Sequence, residues 1–172
     1  MNPEERCQPI ELILSDVDGV LTDGHIVLDN QGIETKRFHV HDGMGVKLWQ
    51  KAGYHFGLVT ARSSHIVKLR AGELGLEPVR QGVADKLAML GQILDERGLC
   101  LEQVCYLGDD LPDLPVIRKV GLGVAVADAC EEVRRGAHYI TEAVGGAGAA
   151  RETIELILKT QRRWEDVIQT YL

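Results

Sequence analysis

One stretch constrains this chain more than any other: Leu12-Ile13-Leu14-Ser15-Asp16-Val17-Asp18-Gly19-Val20-Leu21-Thr22, an apolar run that ends in two carboxylates and a glycine. A short apolar run bounded by turn residues reads as a buried strand, and a strand buried on both faces belongs to a parallel sheet. Residues two apart in extended backbone point the same way, so Asp16 and Asp18 can face one site while Val17 packs behind them. Acids carried to the end of a core strand are costly to bury, which marks the stretch as a site rather than as packing.

The rest of the chain alternates strand and helix patterns. Residues 24–40 contain two β-type runs around Asn30-Gln31-Gly32, predicting a hairpin directly after the first strand. A helical pattern then runs through Met44, Leu48 and Trp49, with Asp42 as its expected N-cap and Gly53 as its stop. Strands are expected at His55–Val59, Pro78–Arg80, Gln103–Leu107 and Leu122–Val126. Helices are expected from Ser63 or Ser64 to Gly75, from Ala84 to Glu96, and over a short span ending near Lys119. A last helix and tail fill residues 149–172. This alternation predicts an α/β fold with a doubly wound, mostly parallel, Rossmann-like sheet. No repeat, low-complexity tract or linker divides it, so residues 1–172 are expected to form a single domain.

Composition narrows the function. The net charge of −7 is spread along the chain, which argues against a nucleic-acid or anionic-membrane surface. Cys7, Cys100, Cys105 and Cys130 lack C-x-x-C spacing and read as thiols of a reducing compartment. The polar N-terminus has no signal-peptide pattern, and no run approaches the ~18 apolar residues of a membrane span, so the expected location is cytoplasmic.

Ligands of open parallel sheets bind outside the strands' carboxyl ends, and four such ends carry polar groups here. They are Asp16 with Asp18, Thr60, the Asp85-Lys86 turn, and the Gly108-Asp109-Asp110-Leu111-Pro112-Asp113 segment. A cluster of Asp16, Asp18, Asp109 and their neighbours Asp110 and Asp113 is repulsive unless a cation sits among them, and oxygen donors select a hard ion such as Mg²⁺. Lys86 at a helix start opposes the macrodipole and calls for an anion nearby. Together the groups describe phosphoryl transfer to Asp16, with Thr60 and Lys86 holding the transferring oxygens and Asp18 moving the proton. Unaided phosphate-monoester hydrolysis is so slow that accelerations reach about 10²¹, or ~28 kcal/mol, which no single group supplies.

These residues resemble the four motifs of the haloacid dehalogenase superfamily of phosphatases: Asp16-Val17-Asp18-Gly19-Val20, Thr60, Lys86 and GDDLPD at 108–113, in that order. The resemblance implies Asp16 as nucleophile, Asp18 as acid and base, and Mg²⁺ held by Asp16, the Asp18 carbonyl and Asp109, with Asp110 and Asp113 in support. Only 41 residues separate Asp18 from Thr60, and 25 separate Thr60 from Lys86, too few for an inserted cap domain. Capless relatives use the hairpin to build a homotetramer whose subunits cover each other's sites.

Segments including LTDGHIVLDNQG, FHVHDGMGVKL, TARSSHIVKLRAGELGL and GGAGAARE are similar to capless sugar-acid phosphatases, which make a precursor of lipopolysaccharide. Arg62 and Glu73 favour an eight-carbon octulosonate 8-phosphate over the alternative, a nine-carbon nonulosonate 9-phosphate. Ala61 and His41 depart from that pattern, which has Gly and Arg there. Arg62 and Arg70 are the candidates for the sugar acid's carboxylate, since Arg grips carboxylates bidentately. Trp164 and Tyr171 either cover substrate or pack. Two rival classes are a phospho-accepting receiver domain, whose acceptor ends a middle strand after an earlier acidic pair, and an idle regulatory domain of the same fold.

Overall fold

A computed structural model describes residues 3–172. After a short helix α1 (Pro3–Cys7) the chain enters β1 (Leu12–Ser15), then a small hairpin of β2 (Val27–Leu28) and β3 (Glu34–Thr35). Next come α2 (Val40–Lys51), β4 (His55–Val59), α3 (His65–Leu74), β5 (Val79–Arg80) and α4 (Lys86–Arg97). The second half runs β6 (Val104–Gly108), a 3₁₀ turn (Leu111–Asp113), α5 (Leu114–Ile117), β7 (Leu122–Ala125), α6 (Glu131–Gly136) and β8 (Tyr139–Ile140). It closes with α7 (Ala149–Thr160), α8 (Trp164–Ile168) and a final 3₁₀ turn (Gln169–Tyr171).

Six strands form one parallel sheet in the order β5-β4-β1-β6-β7-β8. Every residue of β1, β6 and β7 is buried, so both faces of the sheet are covered. One group of helices packs α2 on α7, with α1, α3 and α8 at its margins; the other stacks α4, α5 and α6. The sheet grows from β1 to one side through β4 and β5, then to the other through β6, β7 and β8. That reversal makes the carboxyl end of β1 the switch point at which such sheets bind ligands. The expected α/β, Rossmann-like sheet is observed. Among the described residues, only the hairpin interrupts the run from β1 to α2, and no inserted cap stands between β4 and α4.

Several local expectations are corrected. The hairpin pairs only two residues per strand, and Val40 belongs to α2 rather than to a strand. Its turn is built by Asp29, whose Oδ1 accepts hydrogen bonds from the amides of Gln31 and Ile33, both at 2.8 Å. Helix α2 begins at Val40 with His39 at the N-cap position, which leaves Asp42 inside the first turn. Asp42 caps another helix instead: its Oδ1 accepts from the Arg151 amide of α7 at 2.8 Å. Ser64 does hold the N-cap position of α3, yet its hydroxyl donates to Glu34 rather than to its own helix.

Within the subunit the tail packs on α2 and α7. Lys51, at the C-terminal end of α2, donates to the Val167 carbonyl at 2.8 Å and lies 5.2 Å from the centre of the Tyr171 ring. The Trp164 ring lies 5.3 Å from the Arg151 guanidinium and 5.0 Å from the Lys159 ammonium. Because α2 leads straight into β4, its C-terminal end lies at the strands' amino ends, opposite the carboxyl-end site.

Candidate active site

The site grows out of β1. Ser15 pairs with Leu58 of β4 and with Leu107 of β6, so Asp16, Thr60 and Asp109 leave the sheet side by side, one or two residues past those pairs. Gly19 turns the chain with a φ of +92°, a conformation that favours glycine. A Cβ there would run into the Asp109 carboxylate, so the missing side chain also admits the acid of the later loop.

Lys86 opens α4, behind an N-cap Asp85 whose carboxylate accepts from the Ala88 amide at 2.9 Å. Its side chain is 2% exposed, and its Nζ lies 2.9 Å from Asp16 Oδ2 and 2.6 Å from Asp113 Oδ1. Asp16 Oδ1 accepts from the Val17 amide at 2.7 Å. Asp113 is saturated: Oδ1 also accepts the Tyr106 hydroxyl at 2.7 Å, and Oδ2 accepts the amides of Asp109 and Asp110 at 3.1 and 3.3 Å. It therefore braces the loop and Lys86, with no oxygen left over for another ligand.

The electrostatics call for a cation. Burial pushes the Asp16 carboxyl up, the Asp113 charge adds to this, and Lys86 opposes it. Asp109 rises to about 7, first through burial and then through the charges of Asp113, Asp16 and Asp110. Burial alone would pull the Lys86 ammonium down, but Asp113 and Asp16 overcome it and the net direction is upward. Oxygens of Asp16, Asp109 and Asp113 lie within 4.8 Å of one another, and Asp109 Oδ1 is buried with no hydrogen-bond partner. An orphaned carboxylate oxygen beside a second carboxylate fits a hard divalent ion.

The remaining candidates divide. Thr60 is buried at the end of β4, its amide donating to the Arg80 carbonyl at 3.0 Å and its Oγ1 accepting from the Arg62 amide at 3.4 Å. Asp18 turns its carboxylate away from Lys86 and towards the hairpin, where Oδ1 is ion-paired with Lys36 and Oδ2 lies 3.5 Å from Arg62 Nε. Asp110 is exposed, and its carboxylate caps the 3₁₀ turn through the Leu111 amide at 2.8 Å, so its influence on the cluster is by charge alone. Arg70 is not brought to the cluster. It sits near the middle of α3, bonded to Glu73 at 2.8 Å and lying 5.7 Å from the centre of the Phe38 ring, beside Gly43 of α2. Helix α3 turns its side chain towards α2.

Glu34 and Lys36 are the residues that motif reading missed. Glu34 Oε1 takes Arg62 Nη2 at 3.0 Å and Lys36 Nζ at 3.2 Å, while Oε2 takes the Ser64 hydroxyl at 2.6 Å. The available signal was an opposite-charge pair two residues apart in an extended run, which places both on the same side.

Residues 69–152 match the haloacid dehalogenase-like hydrolase family. The 3-deoxy-D-manno-octulosonate 8-phosphate phosphatase KdsC of Yersinia pestis is 42% identical over 161 residues, covering 94% of this chain and 86% of that protein. The chain belongs to the KdsC family of haloacid dehalogenase-like phosphatases. KdsC of Escherichia coli K12 is 39% identical over the same length. A Moraxella catarrhalis family member, solved with magnesium, phosphate and KDO bound, superposes with a TM-score of 0.96 at 41% identity, over 98% of this chain and 97% of that one. A probable YrbI family phosphatase from Pseudomonas syringae pv. phaseolica gives the same TM-score at 49% identity, over 98% and 96%.

Proposed function

We propose that this chain is a Mg²⁺-dependent phosphatase that hydrolyses 3-deoxy-D-manno-octulosonate 8-phosphate to the free sugar acid and phosphate. The observation that carries the reading is the setting of Asp16: a carboxylate at the switch point, held through both oxygens and facing an acid, Asp109, whose own oxygen lacks a partner. Its relatives' activity and the bound groups of the Moraxella protein support the same reading.

Asp16 attacks the phosphorus, the bond from phosphorus to the sugar oxygen breaks, and Asp18 delivers a proton to that leaving oxygen. Water then attacks the phosphoryl-aspartate. Asp18 takes the proton from this water, so phosphate and free Asp16 are restored with no net change in the enzyme. Lys86, already pointed at Asp16, and the Thr60 hydroxyl bind the transferring oxygens. Asp16, Asp109 and the Asp18 carbonyl would hold the Mg²⁺, with Asp113 fixing the loop from behind and Asp110 adding charge. When bound, the ion supplies the positive charge that keeps both carboxylates ionised beside a phosphate dianion. Arg62, at the rim, meets the carboxylate of the sugar acid.

The reading includes one domain over residues 1–172, a homotetramer and a cytoplasmic location. Ile26, Val27, Leu28 and Ile33 crowd the hairpin with exposed apolar surface, which supports assembly through it. All four cysteines are free, as a reducing compartment favours. No described helix is long and apolar enough to cross a membrane.

The deciding experiment compares kcat/KM for octulosonate 8-phosphate, nonulosonate 9-phosphates and simple sugar phosphates, with and without Mg²⁺. A Mg²⁺-dependent preference for the eight-carbon ester is expected; preference for a nine-carbon ester overturns the substrate. Asp16→Asn is expected to abolish turnover while circular dichroism and the thermal midpoint stay near wild type. Retained turnover in that variant overturns the mechanism.

A further inference from the structure

Lys36 lies one residue beyond β3, in a hairpin that leaves most of its apolar side chains in solvent, yet the lysine's own side chain is 1% exposed. An ammonium withdraws from water to that degree only where its charge is matched. Two carboxylates match it, Asp18 through Oδ1 and Glu34 through Oε1. Glu34 is the hub of the group, because it also binds the Arg62 guanidinium and the Ser64 hydroxyl.

The consequence for Asp18 is asymmetric. Oδ1 is gripped by Lys36, whereas Oδ2 is buried without a hydrogen bond and is held only by a looser ion pair, with Arg62 Nε at 3.5 Å. An ion cluster that served stability alone has no reason to leave a buried carboxylate oxygen without a hydrogen bond. A carboxylate that must pass a proton to a leaving oxygen and take one from water has such a reason. It needs one oxygen anchored and the other free and aimed.

We propose that Lys36 and Glu34 are positioning residues of the reaction: Lys36 fixes Asp18 through Oδ1 so that Oδ2 exchanges the proton, and Glu34 fixes Lys36 and Arg62 together. The inference rests on the acid and base role given to Asp18 under the proposed function. It makes the hairpin part of the proton-transfer apparatus as well as the edge of the molecule. The proton balance is unchanged, since the proton that Oδ2 gives to the leaving oxygen is returned by the attacking water.

The test uses the full-length protein with Mg²⁺ and two esters that differ in how much they need the acid. Octulosonate 8-phosphate releases a poor leaving group that must be protonated, whereas p-nitrophenyl phosphate releases a stable anion that need not be. Lys36→Met is expected to lower kcat for the sugar ester by about 10- to 100-fold, with KM within about 2-fold of wild type. With p-nitrophenyl phosphate the first turnover is expected to keep its rate. A burst of about one nitrophenolate per site then appears, because only the second step, which needs Asp18 as base, is slowed. Lys36→Arg, which keeps the charge, is expected to recover most of the loss, and in an Asp18→Asn background Lys36→Met should cost nothing further.

Equal losses in the first turnover of both esters, with no burst, would show a merely structural role and overturn the proposal. So would full additivity with Asp18→Asn. Should Lys36→Met fail to fold, Glu34→Gln carries the same test, with the same selectivity for leaving group expected at about 3- to 10-fold. If the unaltered protein hydrolyses neither ester, the phosphatase reading itself has failed, an outcome distinct from any of these.

Discussion

Lys86 and Lys36 are both sealed from water and each bridges two carboxylates, but they are held by opposite means. Lys86 stands on a twelve-residue helix over the middle of the sheet, and its partner Asp113 is fixed by the Tyr106 hydroxyl and two amides. Lys36 hangs from a hairpin of two paired residues per strand, and its partners Asp18 and Glu34 keep 15% and 18% of their side chains in solvent. The sheet therefore pre-organises the half of the site proposed to receive the phosphoryl group. The half proposed to move the proton leans on an insertion that exposes Ile26, Val27, Leu28 and Ile33 to solvent. On the proposed mechanism, the covalent step is secured by the core and proton transfer depends on whatever steadies the hairpin.

That contrast breaks most directly by removing each ammonium. Lys86→Met leaves Asp113, 1% exposed, sealed without its counter-charge and is expected to cost about 3–5 kcal/mol in urea unfolding of the metal-free protein at pH 7.5. Lys36→Met, whose partners can be hydrated, is expected to cost about 1 kcal/mol. Equal costs would mean that the hairpin is as firmly built as the core.

The next largest effect concerns pH. Asp109 titrates at about 7 in the folded protein, above the ordinary carboxylate range, so between pH ~4 and ~7 the native state keeps a proton that the unfolded chain has released. The metal-free protein should therefore lose stability as pH rises through that window and level off above it, by about 2 kcal/mol after allowance for partial solvation. Asp109→Asn should flatten the slope, and Mg²⁺ should stabilise the unaltered protein more as pH climbs past 7, where the proton no longer competes. A slope of opposite sign in thermal melts would contradict the charge balance drawn around Asp16 and Asp113.

The hairpin side is sharpened by Leu28→Asp, which places a charge on its exposed apolar face. Sedimentation should show the proposed homotetramer dissociating, with turnover reduced about 10-fold while stabilisation by Mg²⁺ is retained. Loss of both together would mean that the two halves are not separable. The smallest expected effect belongs to Asp42→Ala, which removes the cap on α7 at about 1 kcal/mol without altering kinetics.

Much of this was legible in the residues, for identifiable reasons. The strand signal at Leu12–Ser15, the alternation after it and the acids at strand ends are local in sequence, and a parallel sheet converts such local positions into one site. What escaped was set by tertiary contact. Asp42 looks like the cap of its own helix, because nothing nearby reveals that α7 will present its N-terminus there. Arg70 gives no sign in the sequence that α3 will turn it towards Gly43 of α2 and the Phe38 ring. Glu34 and Lys36 match no motif, since their role depends on how far a two-residue hairpin bends back over Asp18.

The glycine at position 19 has a consequence of a different kind. On one side it admits Asp109, and on the other its carbonyl is pressed by Gly145, while Gly146, with a φ of +68°, donates its amide to the Val20 carbonyl at 2.9 Å. The loop that carries Asp18 is thus a keystone wedged between segments made much later in translation. The proposed nucleophile is synthesised early, but a growing chain that has not yet reached residue 146 holds every proposed catalytic residue and no finished site.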